Sequence, residues 1–301
     1  MKTINVIRKD LNKTIFSIGF LSCVIATAIL CTTAVIHIDP STSREFTVFE
    51  MLLKFDREFL LTDVSFSSVI VFTKALSNYF FMFAPIIAAL PFISIYLTER
   101  NSGYIRMTIA RTGKFRYYFS KLVTAFIGGG LGIIIGLAIF GIATVILFPS
   151  LSEFSAEDIE YGMYMYNSGN SIISNAYLSF GTPAIVALEL ISVFLFGGMS
   201  AMMAYILSSI IRNKYLVLCI PFLIVYIHNS IESKLFISSI HDGAQIGILG
   251  KLLSYSRASN LLYIFYPFDD ILYTILFSLA VLVTALILFT VFMNRRIDLG
   301  A

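Results

Sequence analysis

Long apolar stretches are the feature that most constrains how this chain can fold. A helix needs about 20 mainly apolar residues to cross a bilayer. The sequence offers six such stretches, at about 14–36, 74–97, 122–148, 183–211, 215–231 and 271–293. Charged residues make up 13% of the chain, against roughly 25% in ordinary soluble domains. We therefore predict an all-α integral membrane protein, a single domain over 1–301 with six transmembrane helices.

The positions of lysine and arginine predict the orientation of these helices. Loops on the cytoplasmic side of a membrane carry an excess of both residues. The N-terminus, the segment 98–121, the turn 212–214 and the C-terminal tail hold 14 of the 21 basic residues, whereas the connection 149–182 has none. We expect a multi-pass plasma-membrane protein with both termini in the cytoplasm, which agrees with an even number of crossings.

Segments outside the predicted spans also show helical patterns. Ile4, Ile7, Leu11 and Ile15 fall on one stripe of an N-terminal helix, which is typical of a helix lying in the membrane interface. A plain charged flank that sets the topology is the alternative. The connections 37–73, 149–182 and 232–270 are predicted to be external. The first reads as a small helical cap, and the third as a short helix or a re-entrant element.

The cytoplasmic connection between spans two and three is the most informative segment. Asn101 and Ser102 are suited to cap a short helix, and Gly113 is suited to end it in a left-handed conformation. Between them, Tyr104 and Ile105 begin a run with enough apolar surface to dock in a groove. A basic loop that only sets topology would need no such helix, so we favour a docking element.

The order of Glu99, Gly103, a short amphipathic helix, Arg116 and then a glycine-rich span resembles the membrane subunits of type-2 ABC exporters. That resemblance covers nearly the whole chain and rests on the arrangement of elements. It implies an N-terminal interfacial helix, a cytoplasmic coupling helix, a second permease subunit, and a separate ABC ATPase that binds ATP and Mg²⁺. The residues it implies for ATPase docking are Glu99, Gly103, Tyr104, Ile105, Arg106, Ile109, Arg111 and Arg116.

The chain itself carries no phosphate loop. Such a loop requires Gly, four residues, and then Gly-Lys-Ser/Thr. Gly113-Lys114 and Gly250-Lys251 both lack the first glycine and the final hydroxyl residue. No spacing gathers a catalytic triad or a metal-ligand set, so we expect neither enzyme activity nor a bound cofactor or metal. A net charge of +3 gives no electrostatic case for nucleic-acid binding.

Small residues on span three predict close helix packing. Gly128, Gly132 and Gly136 share one helical face, and small residues let helix backbones approach each other in a membrane. Packing within the subunit is favoured over packing between subunits.

Glu189 is the one acidic residue well inside a predicted span. A carboxylate there is costly, so it should face protein or a cavity. It could contact a cationic substrate or close an outer gate. The alternatives are a structural partner within the bundle and contact with water at the outer leaflet. Lys74 could snorkel to the membrane surface or pair with Glu189.

Taken with the resemblance, these residues predict an exporter subunit for an amphipathic substrate, such as a peptide, a drug or a lipid-like molecule. An ion-coupled carrier or channel would show inverted repeats and several charges within spans. A membrane immunity or sensor protein that transports nothing is the third hypothesis. The sequence shows no repeat, and Glu189 is the one acid deep within a span, which favours the exporter.

Overall fold

The computed structural model describes residues 2–39, 43–76, 79–155, 157–159, 181–211 and 213–242, together with a few positions between 279 and 289. The described residues are mostly helical. In chain order the helices are α1 (Lys2–Ile15), α2 (Ile18–Thr32), α3 (Val48–Lys54), α4 (Arg57–Leu60), α5 (Ser68–Lys74), α6 (Tyr79–Asn101), α7 (Tyr104–Thr112), α8 (Lys114–Leu147), α9 (Thr182–Ser208) and α10 (Lys214–Asp242). Two short strands, β1 (Val35–Ile38) and β2 (Glu45–Thr47), lie between α2 and α3.

Three of the described helices, α6, α8 and α9, are long and apolar enough to cross a membrane. The pair α1 and α2 passes the same test if its two members, bent by 59°, count as one span. These helices are compatible with a membrane protein. The apolar part of α10 is shorter, at Lys214–Ile227. The predicted sixth span at 271–293 lies mostly outside the described residues, so the number six stays a prediction.

The first predicted span, 14–36, is not continuous, because the helix breaks near its start. The break falls at Phe16 and Ser17, so Thr14 belongs to α1 and not to the predicted span 14–36. Ser17 causes the new start, because its hydroxyl accepts a hydrogen bond from the Phe20 N–H at 3.1 Å and so caps α2. A separate N-terminal helix is therefore present, while its place in the membrane interface remains a prediction.

Helix α8 organises the bundle, since it packs against α1, α2, α6 and α9. Its 34 residues span about 51 Å at helical rise, well beyond a hydrocarbon core of about 30 Å. The predicted span began at 122, because hydropathy selects the apolar part of a helix and leaves out its polar first turns. One end of α8 meets α1 and α7. The other end meets α5, where the Ser68 N–H donates to the Pro149 carbonyl at 2.9 Å.

The segment predicted as a helical cap contains a hairpin as well as helices. Strands β1 and β2 are antiparallel, with His37 opposite Phe46. Ring contacts link His37 and Phe46 to Phe55, Phe59 and Phe66, and these rings form the core of the cap. A capping box between Thr47 and Glu50 starts α3. The cap lies at the end of α8 opposite α7, because β1 contacts α5 and α5 meets that end of α8.

Helix α10 is longer than the predicted fifth span 215–231, because the helix continues to Asp242. Pro221 lies inside it without ending it. The external segment predicted from 232 therefore begins as helix, and the rest of that segment, with its predicted short helix or re-entrant element, lies outside the described residues.

Candidate functional site

A buried ion cluster joins three helices at the α7 end of the bundle. Lys121, near the start of α8, donates to Glu99 Oε2 at 2.7 Å and to Asp10 Oδ1 at 3.0 Å. Lys13 donates to the other Glu99 oxygen, Oε1, at 2.6 Å. The cluster links α1, the last turn of α6 and α8. Two cations balance two carboxylates, so the cluster is neutral as a whole.

Burial differs sharply within the cluster and determines what each pair contributes. The side chains of Lys121 and Glu99 are 4% and 6% exposed, whereas that of Lys13 is 53% exposed. The Lys121 ammonium also lies 5.6 Å from the centre of the Tyr117 ring. A buried charge is tolerated only when it is paired, so Lys121 depends on its two carboxylates. Lys13 is a partly hydrated outer member.

Sequence reasoning used Glu99 as a docking residue and missed its pairing with Lys121. It did not single out Asp10 at all. A signal was present: Asp10 is the one acid in the basic N-terminal helix, and it precedes Lys13 by three residues, a spacing that places both on one helical face. The partner on α8 could not be found from local spacing, since 111 residues separate Asp10 and Lys121.

Glycines with positive φ stand at both ends of α7. Gly103 has φ 70° and ψ 2°, and Gly113 has φ 85° and ψ 148°. Left-handed backbone suits glycine, so the chain can turn sharply from α6 into α7 and from α7 into α8. The expected caps differ in detail: α6 continues to Asn101, and the Ser102 hydroxyl donates to the Glu99 carbonyl instead of capping α7. Gly113 does end α7, although its ψ lies outside the left-handed helical region expected for it.

Helix α7 presents three faces, and the docking residues are divided among them. Ile105 and Ile109 pack against the protein's own core, in a cluster that includes residues of α6, α8 and α9. Tyr104, Met107, Thr108 and Arg111 line a cavity that opens towards α1. Arg106 and Ala110 are exposed and belong to neither surface. The apolar surface expected to dock in a partner is therefore partly used within the chain.

Arg100 and Arg116 have different surroundings. The guanidinium of Arg100, one residue after Glu99, donates to the Ser208 carbonyl and, at 3.4 Å, to the Ser209 and Ile211 carbonyls. These carbonyls end α9, where cations are favoured. Arg116 is exposed on the first turn of α8. The sequence reading had placed Arg116 in the docking set and had not assigned Arg100 a role.

The predicted glycine stripe of α8 lies against the N-terminal helices. A Cβ added at Gly128 would lie 2.8 Å from Thr14 Cγ2, and one at Gly132 would lie 2.7 Å from Cys23 Sγ. At Gly136 it would meet the Val24 carbonyl oxygen at 2.6 Å. The missing side chains thus make room for α1 and α2 within the same chain.

Glu189 lies on α9 within the bundle. Its side chain is buried, with the residue 1% exposed, and neither carboxylate oxygen has a hydrogen-bond partner among the described residues. The Lys74 ammonium donates to the Ile36 carbonyl at 3.1 Å. Glu189 is not part of the ion cluster, whose described members come from α1, α6 and α8.

The described residues contain no group of three or more histidines, cysteines, aspartates or glutamates that could hold a metal ion. Cys23 and Cys31 are buried free thiols, and Cys219 is exposed. Comparisons of the chain with protein-family models, with curated proteins and with solved structures found no match. Function must therefore be argued from the geometry of the ion cluster and α7.

Proposed function

We propose that this chain is the membrane-spanning subunit of an ATP-driven exporter and that α7 transmits force from a separate ATPase subunit. The observation that carries the proposal is the length of α7 together with the backbone conformation at its two ends. Helix α7 has nine residues and lies between two long apolar helices, set off by positive-φ glycines on both sides. A short helix placed in this way can move with a partner bound to its outer face and pass that movement to α6 and α8.

The ion cluster supports this role because it connects the ends of α7 to the rest of the bundle. Glu99 lies just before α7 and Lys121 shortly after it, and the two side chains are hydrogen-bonded. Asp10 and Lys13 attach α1 to the same pair. A push on α7 would therefore move α1, α6 and α8 together instead of only bending a loop.

ATP hydrolysis would come from the partner, since the chain has no phosphate loop. Closure of two ATPase subunits around ATP would press on α7 in each of two permease subunits and rock their bundles between two states. Exposed isoleucines recur on one face of α8, at Ile135, Ile139, Ile142 and Ile146. That face suits contact with lipid or with a second permease. The substrate would be amphipathic: a peptide, a drug or a lipid-like molecule.

The proposal is tested by purifying the tagged full chain, expressed from its own genomic region, in mild detergent. We expect a soluble subunit with a phosphate loop to co-purify in stoichiometric amount and to hydrolyse ATP in the presence of Mg²⁺. The double variant Arg106→Glu, Ala110→Asp should lose that subunit, because it places negative charge on the outer face of α7. Neither side chain packs in the described core or lines the cavity.

A matched control makes the same change in charge at the same end of the bundle. Arg8→Glu, Asn12→Asp alters two exposed residues of α1 with the same four-residue spacing. It should keep the ATPase subunit. Full association of the α7 variant, or a co-purified complex without ATP hydrolysis, would refute the proposal.

A carrier coupled to protons or cations is a second candidate, and Glu189 favours it. A buried carboxylate without a hydrogen-bond partner among the described residues is typical of ion pathways in membranes. This function predicts substrate uptake into vesicles driven by an ion gradient without ATP, and loss of that uptake in Glu189→Gln. Transport that requires ATP and survives Glu189→Gln would remove the candidate.

A further inference from the structure

A cavity of about 690 Å³ lies between α1 and α7, beside the ion cluster. It is bounded by one face of each helix. Asn5, Lys9 and Lys13 contribute from α1, and Tyr104, Thr108 and Arg111 contribute from α7. Glu99 of α6 and Lys121 of α8 complete the lining, so polar and cationic side chains reach the cavity from the α1 wall and from the α7 wall.

The charges that line the cavity do not balance. Four cations, Lys9, Lys13, Arg111 and Lys121, face two carboxylates, Asp10 and Glu99. Both carboxylates are already paired with Lys13 and Lys121. Lys9 and Arg111 form no ion pair within the described part of the chain, and both are exposed. The cavity thus keeps two unneutralised cations, one on each wall.

An anion with a phosphate group fits these two cations. The guanidinium of Arg111 can bind two phosphate oxygens at once, and Lys9 can supply a second, point-like charge. The Asn5 amide and the Tyr104 hydroxyl add polar contacts at the same walls.

An apolar surface next to the cavity favours a lipid as the source of that phosphate. The Phe16 N–H donates to the Asn12 carbonyl at 3.1 Å, so the helical turn extends to Phe16, one turn beyond Lys13. Phe16 is 88% exposed and Ile18 is 85% exposed. Leu21, Ile25 and Ile29 are also exposed and continue along α2 at spacings of three and four residues. A free phosphate makes no apolar contacts with these side chains, whereas the acyl chains of a lipid can pack along them.

We propose that the cavity between α1 and α7 binds the phosphate of an anionic phospholipid, whose acyl chains lie along the exposed apolar face of Phe16, Ile18 and α2. Lys9 and Arg111 hold the phosphate from opposite walls. The site requires a membrane but does not require the exporter function. Bound lipid would bridge α1 and α7 and add to the link that the ion cluster already makes.

Native mass spectrometry of the purified full chain in detergent tests this proposal. The probes are phosphatidylglycerol, phosphatidylcholine and glycerol 3-phosphate. We expect phosphatidylglycerol to bind at least tenfold more tightly than either of the others. Lys9→Gln, Arg111→Gln should lose about tenfold in affinity for phosphatidylglycerol. Arg111→Lys should lose less, since it keeps the charge and removes only the two-pronged contact.

The control variant Arg8→Gln, Arg106→Gln removes the same charge from the same two helices at exposed residues that do not line the cavity. It should bind phosphatidylglycerol within twofold of the unchanged chain. An equal loss in this control would show attraction to surface charge in general and would overturn the proposal. Glycerol 3-phosphate binding as tightly as the lipid would overturn it in favour of a free-phosphate site.

Two further outcomes also count against an anionic phospholipid. Equal affinity for phosphatidylcholine would show that the cations do not select an anion. An acidic peptide serves as a fourth probe, and tighter binding of this peptide than of phosphatidylglycerol would assign the cavity to an acidic protein segment. Unchanged thermal unfolding of Lys9→Gln, Arg111→Gln, which we expect because both residues are exposed, ensures that a lost affinity reports on the cavity.

Discussion

Lys121 donates a hydrogen bond to Glu99 at 2.7 Å, and both side chains are almost completely buried. Glu99 precedes α7 in the chain and Lys121 follows it, so the pair joins α6 to α8 across the two ends of α7. Removing one member of a buried pair leaves an uncompensated charge, whereas removing an exposed member costs little. Lys121 is buried and Lys13 is half-exposed, so removing each in turn compares a buried with an exposed ion pair to the same Glu99.

Lys121→Met should destabilise the protein by about 3 kcal/mol, because it leaves the buried Glu99 and Asp10 carboxylates without their shared cation. Lys13→Met removes the half-exposed cation from the same Glu99 and should cost under about 1 kcal/mol. Thermal unfolding of the two variants in one detergent checks the order. Equal losses would mean that burial does not determine the strength of this cluster.

Gly136→Ala should lower stability by about 1–3 kcal/mol, as overpacking typically does. The new Cβ would lie 2.6 Å from the Val24 carbonyl oxygen, and backbone in the middle of α2 cannot easily move aside. The higher helix propensity of alanine, worth about 1 kcal/mol, does not offset this clash.

Gly128→Ala is the matched comparison on the same stripe. Its Cβ would meet Thr14 Cγ2, the end of a side chain, at 2.8 Å near the break between α1 and α2. It should lower the unfolding temperature less than Gly136→Ala does. The reverse order would indicate that these glycines do not act through contact with the N-terminal helices.

Sequence patterns predicted the features that depend on local composition. The apolar stretches located α6, α8 and α9 because a helix that can cross a membrane must be apolar along most of its length. Gly113 indicated the end of α7, since positive φ is a property that the residue type itself allows. The start of α7 was expected from Asn101 and Ser102, whereas the positive-φ residue at that end is Gly103. The short helix between these glycines follows from the same local signals.

Features that depend on distant partners were not predictable in this way. The pairing of Lys121 with Asp10 and the inward position of Ile109 depend on how α1 and the core pack against α7 and α8. The hairpin of β1 and β2 was missed because strands of four and three residues are too short to show a clear alternation. Ser17, which breaks the first apolar stretch, is one polar residue whose effect depends on its cap geometry.

Arg100→Met should lower stability by about 1.5–3 kcal/mol, the usual contribution of hydrogen bonds to a charged group. The guanidinium donates to the carbonyls of Ser208, Ser209 and Ile211, at the end of α9, where the regular hydrogen bonds of the helix stop. Arg100→Lys should recover part of the loss, because an ammonium keeps the charge but not the fork of donors. Protease cleavage at the junction of α9 and α10 would report loosening there. If Arg100→Met leaves both unfolding and cleavage unchanged, the contact is not stabilising.

The two glycines that flank α7 should differ in which residues can replace them. No atom of the described residues lies within 4 Å of a Cβ added at either position, so the backbone conformation is what limits a replacement. Gly103 lies near the left-handed helical region, which asparagine tolerates, and Gly103→Asn should cost under about 1 kcal/mol. Gly113 lies near a region that is essentially restricted to glycine, and Gly113→Asn should cost about 1–3 kcal/mol.

Thermal unfolding of both asparagine variants, with Gly103→Val and Gly113→Val beside them, distinguishes backbone strain from a general effect of added side chains. Valine is branched at Cβ and disfavours positive φ, so it should be costly at both positions, whereas asparagine should be costly only at 113.

The same four variants report on the role of α7. If the glycines allow α7 to turn away from α6 and α8, each costly variant should also weaken ATPase association. Two results would contradict this expectation. One is a variant that unfolds at the unchanged temperature but loses the ATPase subunit, and the other is an equal cost of asparagine at 103 and 113. Either would show that the backbone conformations of these two glycines do not determine the orientation of α7.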